Sequence, residues 1–231
     1  MKIKHGMILA AGLGKRMQPI TLKIPKPLIQ IGNKNLLERA IELLINHGVE
    51  EIAINIHHLA DQIKDFIYSR QYKVKIVIYD EKLSLLDTGG GILNATRTFK
   101  KPFVVINPDT LWTSFYSNEL KNLEDLYFKE KKPCLLLVKK DLSFDSSFKG
   151  DFNLDDGMIS RDKKNQFIFT GLQILDQDAF KFVKNKIFSI NEIWNYFIKN
   201  NSLIGFESKQ KFYHLNTKNM YDRILSLNIT D

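Results

Sequence analysis

Arg16, Lys26 and Asp109 are the residues whose types and spacing could do chemistry together. Lys15 and Arg16 follow a small turn, Ala11-Gly12-Leu13-Gly14, which itself follows the apolar run Met7-Ile8-Leu9-Ala10. Small residues let backbone come close to a ligand, and successive exposed N–H groups form a concave donor surface for phosphate oxygens. Arg16 adds a planar fork matched to phosphate geometry, and Lys26 a compact cation. Pro25 and Pro27 flank Lys26 and are expected to present it on a stiff, extended rod. Asp109, just past the apolar run Phe103-Val104-Val105-Ile106, offers an oxygen ligand for a hard cation. Together these residues suit the gripping of a polyphosphate.

The elements that must position them can be read from periodicity. Met7–Ala10 reads as a buried strand, and Leu28–Ile31 as a short extended piece turned by Gly32-Asn33. Asn35 is placed to cap a helix whose apolar residues Leu36, Leu37, Ala40, Ile41, Leu44 and Ile45 recur at helical spacing, with Gly48 as its stop. Residues 51–56 read as a strand, 60–69 as a helix, 73–78 as a strand and 92–99 as a helix opened by Gly89-Gly90-Gly91. The strand at 103–106, a helix at 119–131 and a strand at 134–138 complete a βα rhythm. From about Asp141 short strands replace it, at 152–154, 158–160, 167–169 and 172–175. A helix from Ser189, strands at 203–206 and 212–215 and a helix at 219–227 end the chain. The expectation is one α/β domain over residues 1–231, a Rossmann-like three-layer sandwich around a mostly parallel, mixed sheet. Ligands of such sheets bind beyond the carboxyl ends of strands. The glycine turn, Asp87-Thr88-Gly89-Gly90-Gly91 and Asn107-Pro108-Asp109 all fall on that edge.

Two common phosphate motifs are excluded. A dinucleotide fingerprint lacks its third glycine, since Met17 stands there, and a P-loop lacks its first glycine, since Leu9 does. What matches is Leu9-Ala10-Ala11-Gly12-Leu13-Gly14-Lys15-Arg16-Met17-Gln18-Pro19-Ile20-Thr21 followed by Pro25-Lys26-Pro27-Leu28. This string resembles the signature of the sugar-1-phosphate nucleotidyltransferases. Thr88-Gly89-Gly90-Gly91-Ile92, the stretch Val105 to Thr113, Gly150-Asp151-Phe152 and Phe169-Thr170-Gly171-Leu172 resemble one subgroup most. That subgroup holds the N-acetylmuramate 1-phosphate uridylyltransferases of cell-wall recycling and mannose-1-phosphate guanylyltransferase-like proteins.

The resemblance implies a nucleotide-diphospho-sugar transferase fold and an enzyme that joins a nucleoside triphosphate to a sugar 1-phosphate, releasing pyrophosphate. UTP and N-acetylmuramate 1-phosphate are the favoured substrates. Two anions must meet, so charge neutralisation and in-line positioning are the chemistry required. Leu9, Ala10, Ala11, Gly12, Gly14, Lys15, Arg16, Asp87, Thr88, Gly89 and Gly90 would then bind the nucleotide. The triple glycine would admit a base or ribose against bare backbone, and Thr88 would hydrogen-bond the base. Arg16, Lys26 and Asp109 would be catalytic, with Mg²⁺ on Asp109. By the same likeness Asn107, Gly150, Asp151, Thr170 and Gly171 would line the sugar side, dividing the chain into a nucleotide half (1–140) and a sugar half (141–231).

Two departures stand out. Pro108 replaces a small residue and removes a backbone donor near the metal. His214 stands where family members carry a second acidic ligand, three residues before Thr217. Imidazole suits softer ions than Mg²⁺. The substitution therefore leaves open a one-carboxylate Mg²⁺ site, a change of metal to an ion such as Mn²⁺, or ligand binding without catalysis. Rival readings are a GTP-dependent mannose-1-phosphate guanylyltransferase, a cytidylyltransferase and a non-catalytic nucleotide-binding protein. His57 and His58 read as solvated loop residues.

Composition narrows the alternatives. The chain has 231 residues, 44% hydrophobic and 26% charged, ordinary for a globular protein with a proper core. Its one cysteine, Cys134, sits in an apolar strand, which excludes an internal disulfide or a cysteine-based metal cluster and marks it as an inert core residue. The net charge of +8 comes from lysines spread through the chain, with no nucleic-acid motif, and would help collect anionic substrates. No apolar run has the length of a signal peptide or a membrane span. The expected protein is cytoplasmic, without membrane or specific nucleic-acid partners, and a monomer or small homo-oligomer.

Overall fold

The computed structural model describes residues 2–227. In chain order its strands are β1 (His5–Ala10), β2 (Gln30–Ile31), β3 (Lys34–Asn35), β4 (Glu51–Ile56), β5 (Lys75–Asp80), β6 (Phe103–Ile106), β7 (Cys134–Lys139), β8 (Asn153–Asp155), β9 (Met158–Ser160), β10 (Phe167–Leu175) and β11 (Ile204–Ser208). The helices are α1 (Leu36–His47), α2 (Ala60–Ser69), α3 (Asp87–Thr96), α4 (Tyr116–Glu130), α5 (Ile190–Lys199) and α6 (Lys218–Leu225).

Nine strands form one sheet in the order β5-β4-β1-β6-β10-β7-β11-β9-β8, and β2 pairs with β3 in a separate ribbon. Strands β5, β4, β1 and β6 are parallel neighbours. Strand β10 runs against both β6 and β7, and β11 is parallel to β7. The sheet is thus the mixed, mainly parallel one expected, in a single α/β domain.

Both faces are covered, which is why the strands read as continuous apolar runs and do not alternate. On one face Ile8, Ile54, Val104 and Leu136 pack with Leu37, Ile41 and Leu44 of α1, Ile63 of α2 and Leu120 and Leu123 of α4. On the other Met7, Ala53, Val105 and Leu137 meet Ile92 and Ala95 of α3 and Ile193 and Trp194 of α5. Cys134 is a free, buried core thiol, and burial pushes its pKa up. The capping at both ends of α1 is as read: Asn35 Oδ1 accepts from Glu38 N at 2.8 Å, and Gly48 lies at φ 94°.

Several boundaries differ from the sequence reading. The third main strand lies two residues later than expected, at 75–80. Helix α3 starts at Asp87, before the glycines. The apolar pieces at 167–169 and 172–175 are one strand, with a register shift where Gly171 takes φ 93°. The segment 212–215 makes only isolated bridges among the described residues, Ser143 to Phe212 and Thr110 to His214. Lys26 opens a short 3₁₀ turn (Lys26–Leu28) where a straight rod was expected; only Pro25 before it is extended.

Candidate active site

At the carboxyl edge of β1, β4 and β6 the structure holds a cavity of about 360 Å³. Its lining includes Leu9, Ala10, Ala11, Gly12, Gly14, Lys15, Arg16, Lys26, Asp87, Thr88, Asn107 and Asp109. One cleft therefore gathers all three residues expected to be catalytic and nine of the expected nucleotide contacts.

The opening loop is shaped from within. Gly14 adopts φ 61°, and a Cβ there would come within 2.8 Å of the Thr21 Cγ2 methyl. Met17 N and Thr21 Oγ1 both donate to Gly14 O, at 2.8 and 2.9 Å. Met17 is buried with Ile29, Leu111 and Leu215, which anchors the loop from below. Lys15 and Arg16 remain exposed, and neither side chain makes an ion pair or hydrogen bond among the described residues. They form a free cationic lip.

Across the cleft, Lys26 Nζ donates to Asp109 Oδ2 at 2.7 Å. His214 Nε2 lies 3.0 Å from the same oxygen. Burial alone would raise the Asp109 pKa, but the charges of Lys26 and His214 and their hydrogen bonds hold it well below the ordinary carboxylate range. Asp109 is fixed by its backbone, since Leu215 N donates to Asp109 O at 2.8 Å. Its neighbour Asn107 is held by Gly171 O, which accepts Asn107 N at 2.7 Å, and by the Trp112 indole N–H on Asn107 O at 2.8 Å.

The donor set can accept a hard divalent ion. Asp109 Oδ1 has no hydrogen bond among the described residues, and Asn216 Oδ1 is buried without a partner in a residue that lines the cavity. No group of three or more His, Cys, Asp or Glu residues suited to a metal occurs among the described residues. A Mg²⁺ ion that takes most of its ligands from water and phosphate does not require one. His214 fits a ligand role less well than expected: its Nε2 faces Asp109, its Nδ1 is buried without a partner, and it does not line the cavity.

Other expected residues lie elsewhere. Gly89 and Gly90 do not face the cavity: a Cβ at Gly89 would sit 2.3 Å from the Phe188 ring, and one at Gly90 2.3 Å from Lys186 O. Gly89 and Gly90 let α3 dock on the segment leading into α5, whereas Gly91 lies against the Asn55 and Glu81 side chains. Thr88 does line the cavity, but its hydroxyl donates to Asp87 Oδ1 at 3.2 Å and accepts from Ile190 N at 2.9 Å. Thr170 is 1% exposed and donates to Leu136 O, Gly150 packs against Asn165 O, and Gly171 packs against Asn107. Asp151 Oδ2 accepts Phe169 N at 2.9 Å. These residues shape the second half from behind. His57 and His58 are half-buried loop clamps, bonded to Glu81 O and Thr21 O.

Sequence reasoning missed Asn55 and Glu81, which line the cavity and tie the ends of β1 and β4 to the loop after β5. Asn55 Oδ1 accepts Ala10 N at 3.0 Å, Asn55 Nδ2 donates to Glu81 Oε1 at 2.7 Å, and Leu86 N donates to Glu81 Oε2 at 2.9 Å. The signal was an asparagine inside the apolar run Ile52-Ala53-Ile54-Asn55-Ile56, since a buried amide needs partners.

Comparison with known proteins gives the family. Over 221 residues the chain is 27% identical to the N-acetylmuramate alpha-1-phosphate uridylyltransferase of Caulobacter vibrioides, covering 92% of this chain and 91% of that one. It is 33% identical over 195 residues to the D-glycero-alpha-D-manno-heptose 1-phosphate guanylyltransferase of Campylobacter jejuni, covering 81% and 83%. The crystal structure of HddC from Yersinia pseudotuberculosis complexed with GMP-PN superposes with a TM-score of 0.79 at 25% identity, over 97% of this chain and 99% of that one. Residues 5–140 match the nucleotidyl transferase family. The chain therefore belongs to the nucleotidyl transferase family, among its sugar-1-phosphate nucleotidyltransferases.

Proposed function

We propose that the chain transfers a uridylyl group from UTP to N-acetylmuramate 1-phosphate, giving a UDP-sugar and pyrophosphate. The observation that carries the site assignment is the single cleft with Lys15 and Arg16 free on one lip and Lys26 paired with Asp109 on the other. The choice of substrates is supported by similarity along nearly the whole length of the Caulobacter vibrioides enzyme. In the reaction an oxygen of the sugar phosphate attacks the α-phosphorus, and the bond from that phosphorus to the bridging oxygen of pyrophosphate breaks. Backbone N–H groups of Ala11 to Gly14 and the Arg16 guanidinium take the charge that builds on the leaving pyrophosphate. Lys26 neutralises the meeting of the two anions at the α-phosphate. Asp109 and Asn216 would hold a divalent cation, Mg²⁺ or Mn²⁺, which when bound supplies further charge neutralisation between the two substrates. The proposed setting is cytoplasmic cell-wall recycling.

A second reading is guanylyl transfer to a heptose or mannose 1-phosphate. It is favoured by the higher identity to the Campylobacter jejuni guanylyltransferase. Pyrophosphate release from each of five nucleoside triphosphates against a panel of sugar 1-phosphates, with Mg²⁺ and with Mn²⁺, tests both. Turnover with UTP and N-acetylmuramate 1-phosphate is expected. Preference for GTP would replace the first reading with the second, and no turnover in any combination would remove both.

A further inference from the structure

Arg161, directly after β9, lies outside the cavity lining. Its guanidinium lies 4.3 Å above the centre of the Phe152 ring and 5.8 Å from that of Trp194. Nε donates to Asp151 O at 3.3 Å, Nη1 to Asn195 Oδ1 at 2.7 Å and Nη2 to Asn191 Oδ1 at 2.7 Å. All three acceptors are neutral. A guanidinium has five N–H donors, so two are left over. Arg161 makes no ion pair among the described residues; the Asp151 carboxylate nearby holds Phe169 N with its Oδ2. Burial draws the pKa of this half-buried cation down, and the nearby Asp151 carboxylate opposes that.

Its place in the fold is informative. Thr88, in the cavity wall, accepts Ile190 N, and Asn191, the next residue of α5, holds the guanidinium. From the other side Asn107, also in the wall, packs on Gly171. Phe169, two residues back along β10 or about 7 Å, contacts Trp194 with ring centres 4.9 Å apart. Arg161 does not itself line the cavity; it follows β9, past β10, β7 and β11 in the sheet, and reaches the wall through Ile190-Asn191 on one side and Phe169-Trp194 on the other, so an acceptor that extended past that wall would meet it. The aromatic plate fixes the plane of the guanidinium and the two asparagines fix its rotation, which is the preorganisation a bidentate anion site requires.

We propose that Arg161 binds a second anionic group, a carboxylate, on the acceptor, so that the enzyme selects acidic sugar 1-phosphates over neutral ones. This rests on the reading of the cleft as a sugar-1-phosphate nucleotidyltransferase site. An arginine that only fastened β9 to α5 would affect every acceptor alike.

The test compares wild type, Arg161→Met and Arg161→Lys with UTP and either N-acetylmuramate 1-phosphate or N-acetylglucosamine 1-phosphate, which lacks the lactyl carboxylate. Methionine keeps an apolar stem on Phe152. The methionine variant is expected to raise KM for the acidic acceptor about 10- to 100-fold, with kcat and KM for the neutral acceptor unchanged, and lysine to restore part of the loss. Equal effects on the two acceptors, or none on either, overturn the proposal. If wild type turns over neither acceptor, the functional reading fails separately. Calorimetric titration of N-acetylmuramate 1-phosphate into wild type and Arg161→Met then decides: tighter binding by wild type supports the carboxylate site, and equal or absent binding overturns it.

Discussion

Asn55 and Glu81 share a 2.7 Å hydrogen bond beside the cleft, and through it the end of β1, where the glycine turn begins, is fastened to the loop after β5. Asn55 is 2% exposed, so neither of its partners can turn to water. Asn55→Ala strands the Ala10 N–H and removes a donor from a buried carboxylate, at a cost of about 2–4 kcal/mol. Urea denaturation is expected to show a lower midpoint with an unchanged slope. The nucleotide KM of the folded variant should rise as the loop loosens.

Lys26→Met keeps the aliphatic stem and deletes the charge facing Asp109. A preorganised cation aimed at developing phosphate charge is worth roughly 10²–10³ in rate. Steady-state kinetics should therefore show kcat/KM falling by about that factor. A change of less than about threefold would mean that Lys26 only braces Asp109, since effects of that size are typical of surface pairs.

The depressed pKa of Asp109 makes a pH-dependent contribution to stability. A carboxylate held ionised in the folded state stabilises above its unfolded pKa of about 3.9. That contribution is lost as pH falls toward the lower folded value. The stability gap between wild type and Asp109→Asn should thus be largest near neutrality and shrink progressively below about pH 4. Denaturation curves of both proteins at a series of pH values check the sign; a gap that widens on acidification contradicts the pairing seen here.

His214 Nε2 lies 3.0 Å from Asp109 Oδ2. Replacing it with Asp puts two carboxylates side by side, which repel without a cation and clamp one when it is present. His214→Asp should melt below wild type in chelator and recover more than wild type does on addition of Mg²⁺. Thermal melts with and without the ion measure this. Equal metal responses in the two proteins would place the cation away from residue 214.

Gly90→Ala separates packing from ligand contact at the triple glycine. The added Cβ would meet Lys186 O at 2.3 Å. Overpacking against backbone should cost about 1–3 kcal/mol. The nucleotide KM of the folded fraction should stay near that of wild type, whereas a pure KM effect would return the glycine to the binding surface.

How much of this was legible in the chain depends on the range of the interactions. Local signals read well: Asn35 and Gly48 bound α1, Phe103–Ile106 is a strand at the residues expected, and the cleft assembles because strand ends share one edge. The errors fall where tertiary contact decides. Gly89 and Gly90 look the same in sequence whether they meet a base or the Phe188 ring, and nothing local announces residues 186–190 as their neighbours. Thr170 was read by likeness as a sugar contact, yet its hydroxyl is taken by Leu136 O across the sheet. The sequence left open whether His214 meets a metal; in the structure its Nε2 lies 3.0 Å from Asp109 Oδ2, a contact across 105 residues that no local signal announces. Asn55 could have been found, because an amide in an apolar strand must be paired.

Strand β10 lies between β6 and β7, hydrogen-bonded to both, and it arrives from residues 167–175, long after both. A truncated polypeptide ending near residue 140 would carry the glycine turn, Lys26 and Asp109, yet leave two open strand edges facing an unfilled slot. Such edges template self-association. Residues 1–140 are thus not a closed unit: the keystone of their sheet is made from residues 167–175.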